Sequence, residues 1–395
     1  MGIGIGLLVA VMIGLLTFQL FRPVPSVGAT ILQPAAAPLG SAPPVLPWPR
    51  TGSVALAIDG LGTIATFGPQ VALPMASTAK IMAGLLTLEG HPLGRADQGP
   101  MLPVTAADVQ TYQNEKAEGQ SVFPVAAGEQ LSEYQALQAL LVPSGNNIAE
   151  LLATWDSGSL PAFVDKMNAR AAALGLSHTH YADVSGVSAE SVGSPSDLIT
   201  LAEFAMRQPV FAEIVAQPEA TLPVAGRVFN VDGVVGQDGI VGVKTGFSGS
   251  AGACFVFAAD VDADQQPARI FGALMGLRTL DDGFTTAQNL IRTVGPALHY
   301  RSVLSNLQVI AEYRAPWGDR ATVFAPQEVD WVVYDGMTLH LRADLKPVKA
   351  PVPSGTDVGT VTVRVGERMT QLRVQTTEPI FEPDVVWRLT RVRLF

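Results

Sequence analysis

Twenty consecutive residues without a charge, Gly2 to Phe21 (GIGIGLLVAVMIGLLTFQLF), constrain this chain more than any other feature. At about 1.5 Å per helical residue they span about 30 Å, the hydrocarbon thickness of a bilayer. The other fate of such a run is the buried core of a large domain. The stretch immediately after it does not read as a domain. Residues 22–50 carry eight prolines with Ala, Gly and Ser, the composition of a semi-rigid, extended linker. No basic residue precedes the apolar run, and it is longer than the apolar region of a signal peptide. Residues 1–21 are therefore expected to be a retained transmembrane signal-anchor, although Val27-Gly28-Ala29 offers a small-residue cleavage site. Only Arg22 flanks the run, so loop charge sets its orientation weakly.

The 395 residues, 48% hydrophobic and 15% charged, are too apolar for a disordered chain. A net charge of −10 argues against a nucleic-acid partner, which needs a basic face. The single cysteine, Cys254, excludes an intramolecular disulfide framework and any zinc site built on several thiolates. It lies in GACFVFAAD and reads as a small buried hydrophobe. His178 and His180 alternate near Asp183, too few ligands for a metal site, so neither metal nor cofactor is expected.

After the linker, SVALAIDGLGTIATFG (Ser53–Gly68) reads as two strands about a turn at Asp59-Gly60. Leu131–Val142 reads as a helix, with Ser132 and Gln135 as a capping box. Pro161–Leu174 is a second helix, stopped by Gly175, and Ser194-Pro195-Ser196-Asp197 opens a third. Strands are expected at 239–245, 252–261 and 268–277, then a helix at about 284–298. Strands, helices and strands in one unit give a mixed α/β domain over 51–298. From 299 to 395, short alternating runs punctuated by Gly and Pro read as a separate small all-β domain, including the terminal WRLTRVRLF.

Three short strings can carry chemistry. In Ser77-Thr78-Ala79-Lys80, helical spacing puts an amine beside a hydroxyl. A serine becomes a nucleophile when a neighbouring base takes its proton, and a buried lysine with a lowered pKa can be that base. An exposed Ser and Lys on one helix face is the plainer explanation, but Pro74-Met75-Ala76 and Ile81-Met82-Ala83 make this setting apolar. Ser144-Gly145-Asn146 comes directly after an apolar helix and on its own is ordinary turn chemistry. Lys244-Thr245-Gly246 ends a strand. A lysine and a threonine there can grip a carboxylate, and the glycine permits close backbone approach.

Taken together, SxxK, SxN and KTG in this order resemble the penicillin-recognising serine acyl-transferases. The fuller strings PMASTAKIM, LLVPSGNNIAELLA, FVDKMNARAAALGL and GVKTGFSGSAGAC are similar to the serine-type D-alanyl-D-alanine carboxypeptidases, the low-molecular-mass penicillin-binding proteins. The resemblance spans Ser53–Leu298, and a terminal β domain is typical of that family. It implies a β-lactamase/transpeptidase-like antiparallel sheet with helices. It also implies a substrate, the peptidoglycan stem peptide ending in D-Ala-D-Ala, and β-lactams as covalent inhibitors.

By the same resemblance, Ser77 attacks the penultimate carbonyl and Lys80 accepts its proton. Ser144 relays a proton to the departing amine, and Asn146 holds the substrate amide and Lys80. Lys244 and Thr245, beside Gly246, bind the terminal carboxylate. The N–H groups of Ser77 and Phe247 form the oxyanion hole. Peptidoglycan chemistry places the catalytic domain outside the cell, tethered by residues 2–21.

Two departures from the family pattern stand out. Arg278 is the nearest arginine after the last core strand, and it is not equated with the family's carboxylate-binding arginine. The chain ends in a strand-like run where many relatives have an amphipathic helix. A serine β-lactamase is a rival, but Glu190 lacks an ExxLN setting for fast deacylation. A DD-transpeptidase captures the same acyl-enzyme with an amine, so the motifs leave it open. A non-catalytic, membrane-tethered wall binder is disfavoured because Ser77 and Lys80 are both present.

Overall fold

The longest apolar strands of the chain meet in one sheet. The computed structural model describes residues 2–306 and 308–391. These fall into two units, 42–299 and 1–41 with 300–395.

Elements of the larger unit are numbered in chain order. A hairpin, β1 (Ser53–Ile58) and β2 (Gly62–Phe67), precedes a run of helices that includes α1 (Lys80–Gly90), α2 (Ala106–Ala117), α3 (Glu133–Leu141), α4 (Asn146–Ser157), α5 (Leu160–Ala173) and α6 (Pro195–Met206). Then come β3 (Ile240–Ser248), β4 (Gly252–Ala263), β5 (Gln266–Leu277) and α7 (Leu280–Val294). The sheet order is β3-β4-β5-β1-β2, and every neighbouring pair is antiparallel.

Both faces of this sheet are covered, so the middle of a central strand, Ala253–Ala259 of β4, is a continuous buried apolar run rather than an alternating one. On β4, Cys254, Val256 and Ala258 join the core formed with α1, α3, α4 and α6. Phe255 lies between them in sequence and meets Phe284 of α7 edge-on, ring centroids 5.1 Å apart. Ala287, Leu290, Ile291 and Val294 form the buried stripe of α7. Cys254 is fully buried, and burial pushes its thiol up to about 11, so it behaves as a small hydrophobe.

The helix boundaries arise from their caps. Ser132 Oγ accepts from the Gln135 N–H, and Gln135 Oε1 accepts in return from the Ser132 N–H at 3.0 Å. Ser194 caps α6, and Gly175 takes the left-handed turn after α5. α7 begins at Leu280 rather than near Phe284, because Thr279 accepts from the Asp282 N–H at 3.1 Å. It stops at Val294 rather than Leu298: Pro296 has no N–H to continue the ladder, and Leu298 opens a strand.

In the smaller unit, the Pro-rich stretch is not a free linker. Residues Ala29–Ile31 pair with Val309–Arg314, and Ala36–Pro38 with Thr338–Leu345. Prolines sit beside these short edge strands, where a missing N–H costs no ladder bond. The strands Thr338–Leu345, Asp357–Val365 and Arg368–Gln375 form the rest of one antiparallel sheet, and Val309–Arg314 pairs with Arg320–Phe324 in another.

The strand expected in WRLTRVRLF is absent among its described residues: Val385–Thr390 is a short helix, and residues 392–395 lie outside the described residues. Asp384 accepts from the Trp387 N–H at 2.7 Å, an N-cap that outweighs the alternation.

Gly2–Phe21 is one helix, and its 18-residue window from Gly4 has a mean hydropathy of 2.2 with none of it buried. Its last carbonyls are met by arginines of the terminal segment. Arg391 donates to Gln19 O and Arg22 O at 3.0 and 2.6 Å, and Arg388 to Leu20 O at 3.2 Å. Cations at a helix C-terminus satisfy carbonyls that have no intrahelical partner.

Candidate active site

A single turn of 3₁₀ helix, Ala76–Ala79, leads into α1 and carries Ser77. Ala76 has φ +46°, a strained left-handed conformation for a residue with a Cβ. The turn is held from two sides by residues without side chains. A Cβ added at Gly246 of β3 would stand 2.8 Å from the Ser77 nitrogen. One added at Gly186 would stand 1.8 Å from Ala76 O. The missing side chain at Gly246 thus lets β3 lie against the turn that carries Ser77.

Lys80, fully buried, sits at the centre. Its Nζ donates to Ser77 Oγ at 2.8 Å, to Asn146 Oδ1 at 2.6 Å and to Ser185 O at 3.0 Å. Burial, then the charge of Lys244, lowers its pKa well below the usual lysine value, against the opposing pull of Asp183 and Glu115. As a neutral amine it would keep two donors, enough for Asn146 and Ser185, and turn its lone pair to the Ser77 hydroxyl. That is the arrangement a general base requires.

Asn146 begins α4, and its Nδ2 donates to Gln120 Oε1 at 2.7 Å. Ser144, just before it, has φ +68°, and its buried Oγ has no hydrogen-bond partner. A buried hydroxyl left unpaired costs stability, so its presence calls for another explanation than folding.

Lys244 is buried on β3, and its Nζ donates to Thr245 O at 3.1 Å. Burial lowers its pKa to about 7, opposed by Asp232; burial pushes Asp232 up to about 7 in turn, opposed by the Val234 N–H and Lys244. Thr245 is buried too, whereas Phe247 is exposed.

Of the residues singled out in the sequence, Ser77, Asn146 and Phe247 line one cleft of about 300 Å³, with Ala76, Gln120 and Ser248 among others; Lys80, Ser144, Lys244, Thr245 and Gly246 are not among its lining residues. Arg278 is elsewhere, 3.6 Å from Asp282 and lining a different cavity, and the exposed Glu190 does not line the cleft.

Motif reading did not reach Gln120, nor the loop from Asp183 to Ser191. Asp183 Oδ1 accepts from the Ser185 N–H at 2.7 Å, and Oδ2 from the Ser188 N–H at 2.8 Å and Ser191 Oγ at 3.0 Å. Burial alone would raise this carboxyl's pKa; the donors at Ser185, Ser188, Gly186 and Ser191 outweigh it and hold the pKa below the usual range. The loop so fixed presents Ser185 O to Lys80. An Asp ahead of Ser-Gly is an Asx-turn pattern that was available in the sequence.

The family model for D-alanyl-D-alanine carboxypeptidase, peptidase S11, matches residues 63–275. The D-alanyl-D-alanine carboxypeptidase DacB2 of Mycobacterium tuberculosis is 32% identical over 229 residues, 56% of this chain and 74% of that protein. A D-alanyl-D-alanine endopeptidase of Pseudomonas aeruginosa is 29% identical over 203 residues, 49% of this chain and 62% of its own length. The fold is similar to penicillin-binding protein 5 of Haemophilus influenzae, with a TM-score of 0.63 at 20% identity, covering 87% of this chain and all of that one. With its central unit matched from β2 to β5, the chain belongs to the D-alanyl-D-alanine carboxypeptidase family, peptidase S11.

Proposed function

We propose that this protein is a serine D-Ala-D-Ala carboxypeptidase that removes the terminal D-alanine from peptidoglycan stem peptides. The observation that carries the reading is the buried Lys80 amine, 2.8 Å from Ser77 Oγ and 2.6 Å from Asn146 Oδ1.

The steps join the roles implied by the family resemblance to the contacts around Lys80. Lys80, neutral, takes the Ser77 proton as Oγ attacks the carbonyl of the penultimate D-alanine. The N–H groups of Ser77 and Phe247 receive the oxyanion; such donors are typically worth about 3–4 kcal/mol in the transition state. The Ser144 hydroxyl, free of other bonds, relays a proton: it gives its own to the leaving amine and takes in its place the one Lys80 received from Ser77, which returns Lys80 to the neutral amine. Lys244 and Thr245 hold the terminal carboxylate, with Gly246 keeping β3 close to the turn. Asn146 orients Lys80; its amide nitrogen reaches a substrate only by exchanging its bond with Gln120. Water then frees the acyl group from Ser77.

The N-terminal helix is read as a retained single-pass anchor holding the catalytic unit outside the cell. What supports it is the pairing of residues 29–31 and 36–38 with the β unit, directly after the helix.

The test uses the full chain in detergent, with a fluorescent penicillin and with a peptide ending in D-Ala-D-Ala. A stable adduct on Ser77 together with released D-alanine supports the carboxypeptidase. Rapid penicillin turnover without D-alanine would instead make it a β-lactamase. Transfer of the acyl group to an added amine in preference to water would make it a transpeptidase. Neither adduct nor release would refute the assigned roles.

A further inference from the structure

A second cavity, about 560 Å³, opens beside the Ser77 cleft and shares Gln120 and Val187 with it. Four carboxylate residues line it: Glu115 from α2, Glu150 from α4, Asp165 from α5 and Asp183 from the loop after α5. No basic residue is among the described residues that line it. Asp183 is consumed by its own loop. Glu115 is engaged only in part, by the Asn147 N–H: it is 8% exposed, and its Oε2 is buried without a hydrogen-bond partner. An acceptor in that state costs stability unless a donor arrives. Leu160, Val164 and Val184 supply apolar wall between the acids. An aliphatic stem ending in a cation fits that lining.

A divalent metal does not fit, because among the described residues no three metal-binding side chains converge closely enough to hold one. The position beside the nucleophile's cleft makes the occupant part of the same substrate. We propose that this cavity is the subsite for the side-chain ammonium of the diamino acid residue that precedes D-Ala-D-Ala in the stem peptide. The proposal rests on the carboxypeptidase reading above. Two further facts agree with it. Burial, then the charge of Glu150, pushes Glu115 up to about 7, and burial, then Asp183, raises Glu150. A bound ammonium relieves both carboxylates at once. It would also hold the substrate's third residue from the end against Gln120 and Val187, ordering the scissile bond over Ser77.

Two peptides test this with the full chain in detergent: Nα-acetyl-L-Lys-D-Ala-D-Ala with a free Nε amine, and the same peptide acetylated at Nε. D-alanine release is measured for each. The free amine should be preferred in kcat/KM by on the order of tenfold, the scale of a hydrogen bond to a charged group, chiefly through KM. E150Q and E115Q should each bring the two peptides to within about twofold of one another. Equal turnover of both peptides by the unaltered enzyme overturns the proposal, as does a preference that survives both substitutions. E115Q slowing both peptides equally, with a displaced pH profile, would mean that Glu115 acts only on Lys80, and overturns it too. No release from either peptide refutes the carboxypeptidase reading itself and this subsite with it.

Discussion

The contact between Gly246 and the Ser77 turn gives the sharpest test of how the larger unit is assembled. Gly246→Ala adds one methyl group to β3. That Cβ would lie 2.8 Å from the Ser77 nitrogen, 3.1 Å from the Ala76 Cβ and 3.2 Å from Met75 O. Ordinary contact begins at about 3.4 Å, so the nearest atom must retreat by about 0.6 Å. Two of the three obstructing atoms are backbone, and the third is the Cβ of a residue already strained at φ +46°. None is the free end of a flexible side chain. Gly246 itself has an ordinary φ, so the effect is steric and not a change in backbone freedom. Overpacking of this kind typically costs about 1–3 kcal/mol. Misplacing a reacting atom by about 1 Å costs about a hundredfold in rate, so 0.6 Å predicts a loss between roughly tenfold and a hundredfold in acylation. The assay is the second-order rate of Ser77 acylation by a fluorescent penicillin, with urea unfolding in parallel. Gly249→Ala, three residues on, is the control: a Cβ there has nothing within 4 Å, and both rate and stability should stay unchanged. Wild-type acylation by G246A, or an equal loss in G249A, would refute the argument that β3 sets the position of Ser77.

Acylation should rise with pH through a midpoint well below the usual lysine value, as Lys80 loses its proton. Lys244→Met removes a cation that disfavours the Lys80 charge and should move that midpoint upward, read from the pH dependence of the penicillin rate. Glu133 is buried with both carboxylate oxygens unpartnered, and burial, then Asp97, pushes it up to about 7. The folded state thus holds its proton above the ordinary carboxyl range, and stability falls as pH rises from about 4.5 to 7. Glu133→Gln should therefore melt higher than wild type at pH 8, with the difference gone at pH 4. Ser132→Ala removes the side-chain acceptor of the α3 capping box and should cost about 1 kcal/mol in urea unfolding. Ser144→Ala should slow acylation without lowering the melting temperature, because the hydroxyl has no partner in the folded state to lose.

Local signals survived into the structure where a short stretch of chain decides the outcome. The caps at Ser132 and Ser194, the stop at Gly175 and the apolar β-strands are properties of four to ten residues. They could be read without knowing what packs on them. Ser77 and Lys80 were legible for the same reason, being one helical turn apart. Where the reading failed, an interaction from outside the stretch being read overrode its own pattern. The Pro-rich stretch looks free because nothing in residues 22–50 names Val309–Arg314 or Thr338–Leu345 as strand partners. The terminal WRLTRVRLF alternates like a strand, yet a cap at Asp384, just upstream, sets its conformation. Its arginines meet carbonyls some 370 positions away in the chain. The apolar setting of Lys80 was legible in its neighbours; the lowering effect of Lys244 adds to that burial from 164 positions away. What fixes the orientation of Lys80 is Asn146 from 66 positions away and a carbonyl from 105. A carbonyl carries no residue identity, so Ser185 could not be found from its side chain. It could be found only from the glycine beside it, whose missing Cβ lets the loop lie against Ala76 and brings the carbonyl within reach of the lysine.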